Sequence, residues 1–192
     1  MIPQARLANS LAFRGDTALH KLYLQPQPRY SEDIDLVQVR AEPIKEIVQR
    51  LKVEANTREH FTVYGLQQFP FEVKSSWFDG GCNLTTYRLE ELLGTKLRAL
   101  YQRKKGRDLY DMFIALTQKP DLDIDALLHC YREYMTFSVE KPPTQREYIL
   151  NMEAKMQDSE FLGDTTALLR PDVPYNPQTA YELVKTTLIE RI

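Results

Sequence analysis

The second half of the chain carries the apolar spacing of helices. From Thr85 onward, apolar side chains recur at intervals of three and four residues, which places them on one face of an α-helix. The first such run contains Leu89, Leu92, Leu93, Leu97 and Leu100. Thr85 or Thr86 is suited to cap its amino-terminal end. The same pattern predicts further helices over 107–117, 124–135, 145–156 and 178–192. We therefore predict that residues 85–192 form a helical domain.

The first half of the chain has short apolar runs interrupted by turn-forming residues. These runs predict strands over 10–14, 30–39, 51–55, 61–64 and 69–75. Helical spacing is found over 17–24 and 43–51. The mixture is typical of an α+β fold, in which a mixed β-sheet carries helices on one face. Residues 1–84 are therefore predicted to form an α/β domain that precedes the helical one.

Charge and composition exclude several classes of protein. The chain has 25 basic and 27 acidic residues, a net charge of −2, so no global positive field attracts nucleic acid. Cys82 and Cys130 lack the spacing of a zinc site or a disulfide scaffold. No apolar run approaches the ~18 residues that span a bilayer, and the amino-terminal sequence lacks the apolar core of a secretory signal. We expect a cytoplasmic protein that has no membrane partner.

The stretch RYSEDIDL, residues 29–36, brings two carboxylates into one predicted strand. Alternate side chains of a strand share a face, and one face then carries Arg29, Ser31, Asp33 and Asp35. Ile34 and Leu36, on the opposite face, are expected to point into the core. Two carboxylates ~7 Å apart repel each other unless a cation lies between them, and Mg²⁺ is usually held by one or two carboxylates plus substrate phosphates. The alternative is a solvated strand face on which Arg29 balances one acid.

The stretch FRGDTALHKLYL, residues 13–24, predicts a strand, a tight turn and a helix. Gly15 lets the backbone turn sharply, and the helix that opens at Asp16 and Thr17 offers free N–H groups to an anion such as phosphate. The alternative is an ordinary turn in which Asp16 caps the helix. Because the carboxylate strand follows within 20 residues, the combination predicts an anion site beside a metal site.

A run of basic residues opens the second half. Residues 96–107 contain six basic side chains and no acid: Lys96, Arg98, Arg103, Lys104, Lys105 and Arg107. Such a local patch can bind polyphosphate or an RNA backbone. Arg103 lies seven residues after Lys96 and so on the same helical face, and Arg107 has the spacing to pair with Asp111. The alternative is a solvated basic helix end.

In this order, the segments resemble the AbiEii/AbiGii toxin-type nucleotidyltransferases of the DNA polymerase β-like superfamily. The matching stretches are FRGDTALHKLYL, RYSEDIDL, LKVEANTREHF and TTYRLEELLGTKLRALYQRKKGRDLYD. The resemblance implies that Asp33, Asp35 and Glu54 hold Mg²⁺ or Mn²⁺. It also implies that Lys96 contacts the nucleotide phosphates, and that Asp108 and Asp111 complete the site. The predicted substrate-binding residues are Gly15, Asp16, Thr17, Arg29, Ser31, Lys96, Arg103, Arg107 and Asp111.

The resemblance implies transfer of a nucleoside monophosphate from a nucleoside triphosphate to tRNA, another RNA or a protein. The expected outcome is growth arrest, restrained by an antitoxin encoded alongside. Two alternatives stay open. Asp16 stands where relatives usually have glycine or serine, and the segment between the two carboxylate strands is short. One alternative is therefore a catalytically impaired nucleotide-binding module. The other is a nucleotidyltransferase that modifies a small molecule such as an antibiotic.

Overall fold

A computed structural model describes residues 10–31, 33–40, 55–56, 58–74, 76, 79–169 and 174–192. The chain divides into two compact units. The first, here called the sheet unit, contains Met1–Gln25 and Ser31–Leu89. The second, the helical unit, contains Pro26–Tyr30 and Glu90–Ile192. A short segment from the first half of the sequence is therefore part of the helical unit.

In the part of the chain that the structure describes, the sheet unit is built on a mixed five-stranded sheet. Its strands are β1 (Leu11–Arg14), β2 (Asp35–Gln38), β3 (Ala55–Asn56), β4 (Leu66–Lys74) and β5 (Asp79–Tyr87). Their order in the sheet is β3-β2-β1-β5-β4. The central strand β1 is antiparallel to β2 and parallel to β5. The prediction of an α+β fold with a mixed sheet is confirmed.

Helix α1 follows β1 directly. It is α-helical over Gly15–Ala18 and continues as a π-helix over Leu19–Tyr23. Its aliphatic residues Ala18, Leu19 and Leu22 are buried, and Tyr23 is half-buried. The Tyr23 hydroxyl donates to the Tyr87 carbonyl oxygen at 2.6 Å, and its ring lies 5.3 Å from that of Phe69. These contacts fasten the end of α1 to β4 and β5.

The helical unit is held together by apolar helix faces and by capped helix starts. Its helices are α2 (Leu89–Gln102), α3 (Gly106–Gln118), α4 (Ile124–Ser138), α5 (Gln145–Lys155), α6 (Ser159–Gly163), α7 (Pro177–Thr187) and a final 3₁₀ turn (Ile189–Arg191). Helices α2 and α4 approach closely, since a Cβ added at Gly94 would lie 2.6 Å from the Cys130 Cβ. Side chains of Asp123, Thr144, Asp158 and Asn176 accept backbone N–H groups at helix starts.

Two predicted strands differ from those observed. The strand predicted over 30–39 is formed only over Asp35–Gln38, because Tyr30 N donates to the Leu168 carbonyl oxygen at 3.0 Å and the backbone there belongs to the helical unit. Ile34 consequently lies outside the strand and is 56% exposed, so its predicted core position is wrong. The run 61–64 is irregular, since pairing begins only after Gly65 at Leu66.

The boundary between strand and helix near residue 85 also lies elsewhere. Strand β5 extends to Tyr87, and α2 begins at Leu89. Thr86 is therefore not a helix cap: it is buried in β5, and its hydroxyl donates to the Phe13 carbonyl oxygen at 2.7 Å. The predicted helix over 43–51 and most of the strand over 51–55 lie outside the described residues. Among the helices that the structure describes, none is long and apolar enough to cross a membrane.

Candidate functional site

The turn between β1 and α1 is built around a glycine and an aspartate. Gly15 has a φ of +75°, a conformation that other residues rarely adopt. A Cβ at this position would collide with the Asp35 carboxylate, 2.7 Å from its Cγ. The register of β1 and β2 places Asp35 opposite Arg14, next to the turn. Glycine therefore allows the Asp35 carboxylate to lie directly against the backbone of the turn.

Thr17 connects the start of α1 to the stretch that carries the two aspartates. Its buried hydroxyl lies 2.5 Å from the Ser31 Oγ and also donates to the Asp33 carbonyl oxygen. Thr17 thus contacts the Ser31 side chain and the Asp33 backbone. The side chains of Asp33 and Asp35 are exposed. The sheet unit brings the predicted glycine turn and both aspartates of the DxD motif together. Glu54, the predicted third carboxylate, lies outside the described residues.

Asp16 occupies the first turn of α1 rather than its cap. Arg14 is the residue that precedes the helix, and no side-chain hydrogen bond caps it. The alternative in which Asp16 serves as the capping residue is therefore wrong. A carboxylate in the first turn is still favoured by the positive end of the helix dipole.

An ion pair that the sequence did not reveal lies at the end of β1. Arg14 Nη1 is 2.5 Å from Glu59 Oε2, and both side chains are about nine-tenths buried. The Arg14 guanidinium also lies 5.8 Å from the centroid of the Tyr87 ring. Because 45 residues separate the two partners, no local spacing in the sequence could have indicated the pair. The pair fixes the strand end from which the Gly15 turn departs.

The helical unit contains a group of five charged side chains, most of them buried, which we call the charged network. Its members are Arg29, Lys96, Arg103, Asp108 and Asp111. Arg29 binds Asp111 with two hydrogen bonds, of 2.7 and 2.8 Å. Lys96 Nζ lies 3.2 Å from Asp108 Oδ1 and 3.1 Å from Asp111 Oδ2. Arg103 binds Asp108 with two hydrogen bonds, of 2.6 and 2.7 Å.

The network is unevenly buried. Asp108 and Asp111 are fully buried and Arg29 is 1% exposed, whereas the Arg103 side chain is 48% exposed. Burial by itself raises the pKa of Asp108, but the charge of Lys96 and the hydrogen bonds of Arg103 outweigh it and hold that pKa below its ordinary value. Burial likewise lowers the pKa of Arg29, but Asp111 outweighs it and the pKa lies above its ordinary value. Both groups are therefore charged at neutral pH.

The remaining basic residues of the run also meet partners within the helical unit. Lys104 Nζ lies 2.7 Å from Asp158, and Lys105 Nζ and Arg107 Nε lie 3.7 and 4.0 Å from Asp164. Arg98 donates to the Ser138 hydroxyl at 2.5 Å and to the Tyr134 carbonyl oxygen at 3.3 Å. The sequence run of basic residues is thus not a simple positive surface, because acidic residues of later segments lie against it.

Lys155 is a further buried charge that the sequence analysis missed. Its Nζ donates to the carbonyl oxygens of Leu100 and Tyr101, at 2.5 and 2.8 Å, and so closes the carboxyl-terminal end of α2. Burial lowers its pKa to about 8. The helix that carries Lys96 is therefore fixed at its end by a lysine of α5.

A mixed sheet with a glycine turn, a helix and a DxD motif, in a chain that continues into a helical unit, is the arrangement of a nucleotidyltransferase-type α+β protein. The family model described as "Nucleotidyl transferase AbiEii toxin, Type IV TA system" matches residues 2–51 and 38–185. The chain belongs to this family of nucleotidyl transferase toxins. No curated protein and no solved structure matches it. The predicted resemblance is confirmed, and with it the class of a toxin from a toxin–antitoxin system.

Proposed function

We propose that the protein transfers a nucleoside monophosphate from a nucleoside triphosphate to an acceptor, in a reaction that depends on a divalent cation. Membership of a nucleotidyl transferase toxin family supports the reaction class. The observation that carries the proposal for this chain is the placement of Asp35 against the Gly15 turn, with the Asp33 backbone tied to Thr17. We propose tRNA or another RNA as the first acceptor to test, and a protein hydroxyl as the second.

The donor set fits a hard divalent cation. Asp33 and Asp35 present exposed carboxylates, and oxygen ligands are those that Mg²⁺ and Mn²⁺ prefer. We propose these two residues, together with Glu54, as the metal ligands. When bound, the cation would neutralise charge on the triphosphate and on the pyrophosphate that leaves. Two carboxylates on neighbouring positions otherwise repel each other, so a cation also removes a conflict within the sheet unit.

The residues around the turn have separate proposed roles. Gly15 keeps space for the Asp35 carboxylate, and the backbone N–H groups at the start of α1 are proposed to face the phosphates. Thr17 and Ser31 hold the aspartate stretch through their hydroxyl groups, 2.5 Å apart. Asp16 adds negative charge to the first turn, which lowers phosphate affinity unless a cation compensates it.

The roles implied for residues of the helical unit stay predictions. Lys96, Asp108 and Asp111 are buried and bind one another. A direct phosphate contact by Lys96 would require it to exchange a carboxylate for a phosphate. Arg103 is the network member with the most exposed side chain, at 48%, and Arg107 is 21% exposed, so we propose these two as the first basic residues to test for substrate contact.

A labelling experiment tests the proposal. The protein is incubated with each α-labelled nucleoside triphosphate, Mg²⁺ or Mn²⁺, and total RNA and protein, and the fraction that takes label is identified. Asp35→Asn should abolish labelling, because it removes one of the proposed ligands while keeping the size of the side chain. Asp79→Asn is the matched control, since Asp79 is an exposed aspartate of β5 in the same sheet unit. Equal labelling by wild type and Asp35→Asn would refute the proposal.

A nucleotide-binding module without transfer activity is the second candidate function. It is favoured by Asp16, whose carboxylate stands in the first turn of α1 where it opposes an incoming phosphate. Binding of nucleoside triphosphate with no transfer to RNA, protein or small-molecule acceptors would identify this function. The acidic partners of the basic run weaken the argument for a polyanionic acceptor, so an antibiotic-type small molecule is included among the acceptors.

The biological setting follows from the family. A toxin of a type IV toxin–antitoxin system is paired with an antitoxin, and we propose that the antitoxin of this chain is encoded alongside it. We also propose that the protein acts in the cytoplasm, where nucleoside triphosphates and tRNA are found. The growth of host cells that express this chain, with and without the gene next to it, tests whether that gene encodes the antitoxin.

A further inference from the structure

The segment Pro26–Tyr30 is fixed inside the helical unit by several independent contacts. Arg29 forms a β-bridge with Leu169, and Tyr30 N donates to the Leu168 carbonyl oxygen at 3.0 Å. The Tyr110 hydroxyl donates to the Pro28 carbonyl oxygen at 3.0 Å. Such dense bonding is unusual for a connecting segment, because loops generally lie on the surface and bond to water. The segment is therefore held in place at both its backbone and its side chains.

Arg29 supplies the strongest of these contacts. Its Nε and Nη2 donate to the two oxygens of Asp111, and its Nη1 donates to the Tyr30 carbonyl oxygen at 2.8 Å. A two-point contact between guanidinium and carboxylate fixes orientation as well as distance. With 1% of its side chain exposed, Arg29 is placed to organise the chain rather than to contact a substrate.

Arg29 lies close in sequence to the two aspartates of the DxD motif. Ser31 follows it by two residues, Asp33 by four and Asp35 by six. Each residue spans at most ~3.6 Å of chain, so only a short length of chain separates Arg29 from the two aspartates. The next fixed point after Tyr30 is the contact of Ser31 and Asp33 with Thr17. The side chains of Asp33 and Asp35 are themselves exposed.

We propose that Arg29, through its bond to Asp111, is a positioning residue for the metal-binding aspartates Asp33 and Asp35. This inference rests on the proposed function, which makes those aspartates metal ligands. Residues that orient metal ligands without touching the metal typically change metal affinity by about 10- to 100-fold when they are replaced. Arg29 acts from further away, through the backbone, and we expect an effect near the lower end of that range.

The test measures Mn²⁺ binding to the purified protein in the absence of nucleotide, by the electron paramagnetic resonance signal of free Mn²⁺. Arg29→Met should weaken Mn²⁺ binding about tenfold. Arg29→Lys keeps the charge but loses the two-point contact, and should weaken binding about threefold. Tyr148→Phe is the matched control: it removes a buried hydrogen bond to the Leu97 carbonyl oxygen in the same unit without touching Pro26–Tyr30. It should lower the urea midpoint of unfolding and leave Mn²⁺ affinity within about twofold of wild type.

The outcomes separate this inference from the proposed function. Asp35→Asn serves as the ligand control, and if it binds Mn²⁺ as wild type does, the metal site itself is wrong. If Asp35→Asn weakens binding and the Arg29 variants do not, the metal site stands and the positioning role is refuted. An equal loss in Tyr148→Phe and Arg29→Met would also refute it, because general destabilisation would then explain the effect. If Arg29→Met does not fold, wild-type affinity in Arg29→Lys refutes the inference alone.

Discussion

Replacing Asp111 by asparagine should destabilise the helical unit strongly. Asp111 accepts two hydrogen bonds from Arg29, and it also lies 3.1 Å from Lys96. The substitution keeps the shape of the side chain but removes the negative charge between two cations. Because Arg29 is 1% exposed, it cannot turn to water for a replacement partner. Removing the charge of one partner of a buried ion pair costs about 3–5 kcal/mol of unfolding free energy.

Asp108→Asn is the matched comparison. Asp108 is as fully buried as Asp111, and it too binds Lys96 and one arginine in a two-point contact. Its arginine, however, is Arg103, whose side chain is 48% exposed and can be hydrated when the carboxylate is lost. Lys96 keeps Asp111 as its partner. The expected loss is therefore smaller, about 1.5–3 kcal/mol, the range for a hydrogen bond to a charged group.

The measurement is equilibrium unfolding in urea, followed by far-ultraviolet circular dichroism, which reports the helices. Unfolding free energies from linear extrapolation are comparable when the slope against urea is the same in all variants. The expected order of stability is wild type, Asp108→Asn, Asp111→Asn. If Asp111→Asn were as stable as Asp108→Asn, exposure of the partner arginine would not decide the energy of the pair, and the reasoning from burial would be refuted.

Three further substitutions test other features. Gly15→Ala should lower the thermal unfolding midpoint more than Gly65→Ala does: both glycines have positive φ, but a Cβ at Gly65 meets no described atom within 4 Å, whereas one at Gly15 meets Asp35. The unfolding free energy of the wild type should rise between pH 8 and 10.5, because the folded protein has released the Lys155 proton there while the unfolded chain still holds it. Lys155→Met should remove this rise, and urea titrations across that pH range measure it. Asp108→Asn should reduce the loss of stability below pH 3.8. The lowered pKa of Asp108 stabilises the folded wild type above pH 3.8, and this stabilisation is lost as the pH falls from 3.8 through the lowered pKa; acid titration followed by circular dichroism measures it.

The parts of the fold that the sequence predicted are those that local patterns determine. Apolar spacing of three and four residues identified the long helices, and a glycine after an apolar strand identified the Gly15 turn. Strand β5 was missed because Gly80, Gly81 and Asn83 interrupt its alternation. Its strand conformation comes from pairing with β4 over its whole length, which is a contact between segments rather than a property of either one.

In the candidate site, too, local relations were visible in the sequence and long-range contacts were not. The two aspartates and the turn lie within about 20 residues of one another, so their relation was visible in the sequence. The partner of Arg29 was not, because Asp111 lies 82 residues away. Local alternation placed Arg29 on the same strand face as Asp33. In the structure the Arg29 side chain instead binds Asp111 of the helical unit, and the strand begins only at Asp35.

The discontinuous make-up of the helical unit limits how this protein can be divided or recombined. The chain passes from one unit to the other three times, after residues 25, 30 and 89. A gene fragment that begins at residue 85 would encode helices α2 to α7 and yet lack Arg29, so Asp111 would lose both of its hydrogen bonds to that residue. Neither unit can therefore be replaced by that of a related protein through a single fusion point in the sequence. Because Pro26–Tyr30 binds α3, a substitution in one of them is expected to restore stability lost by a substitution in the other more often than a change that is merely near in sequence.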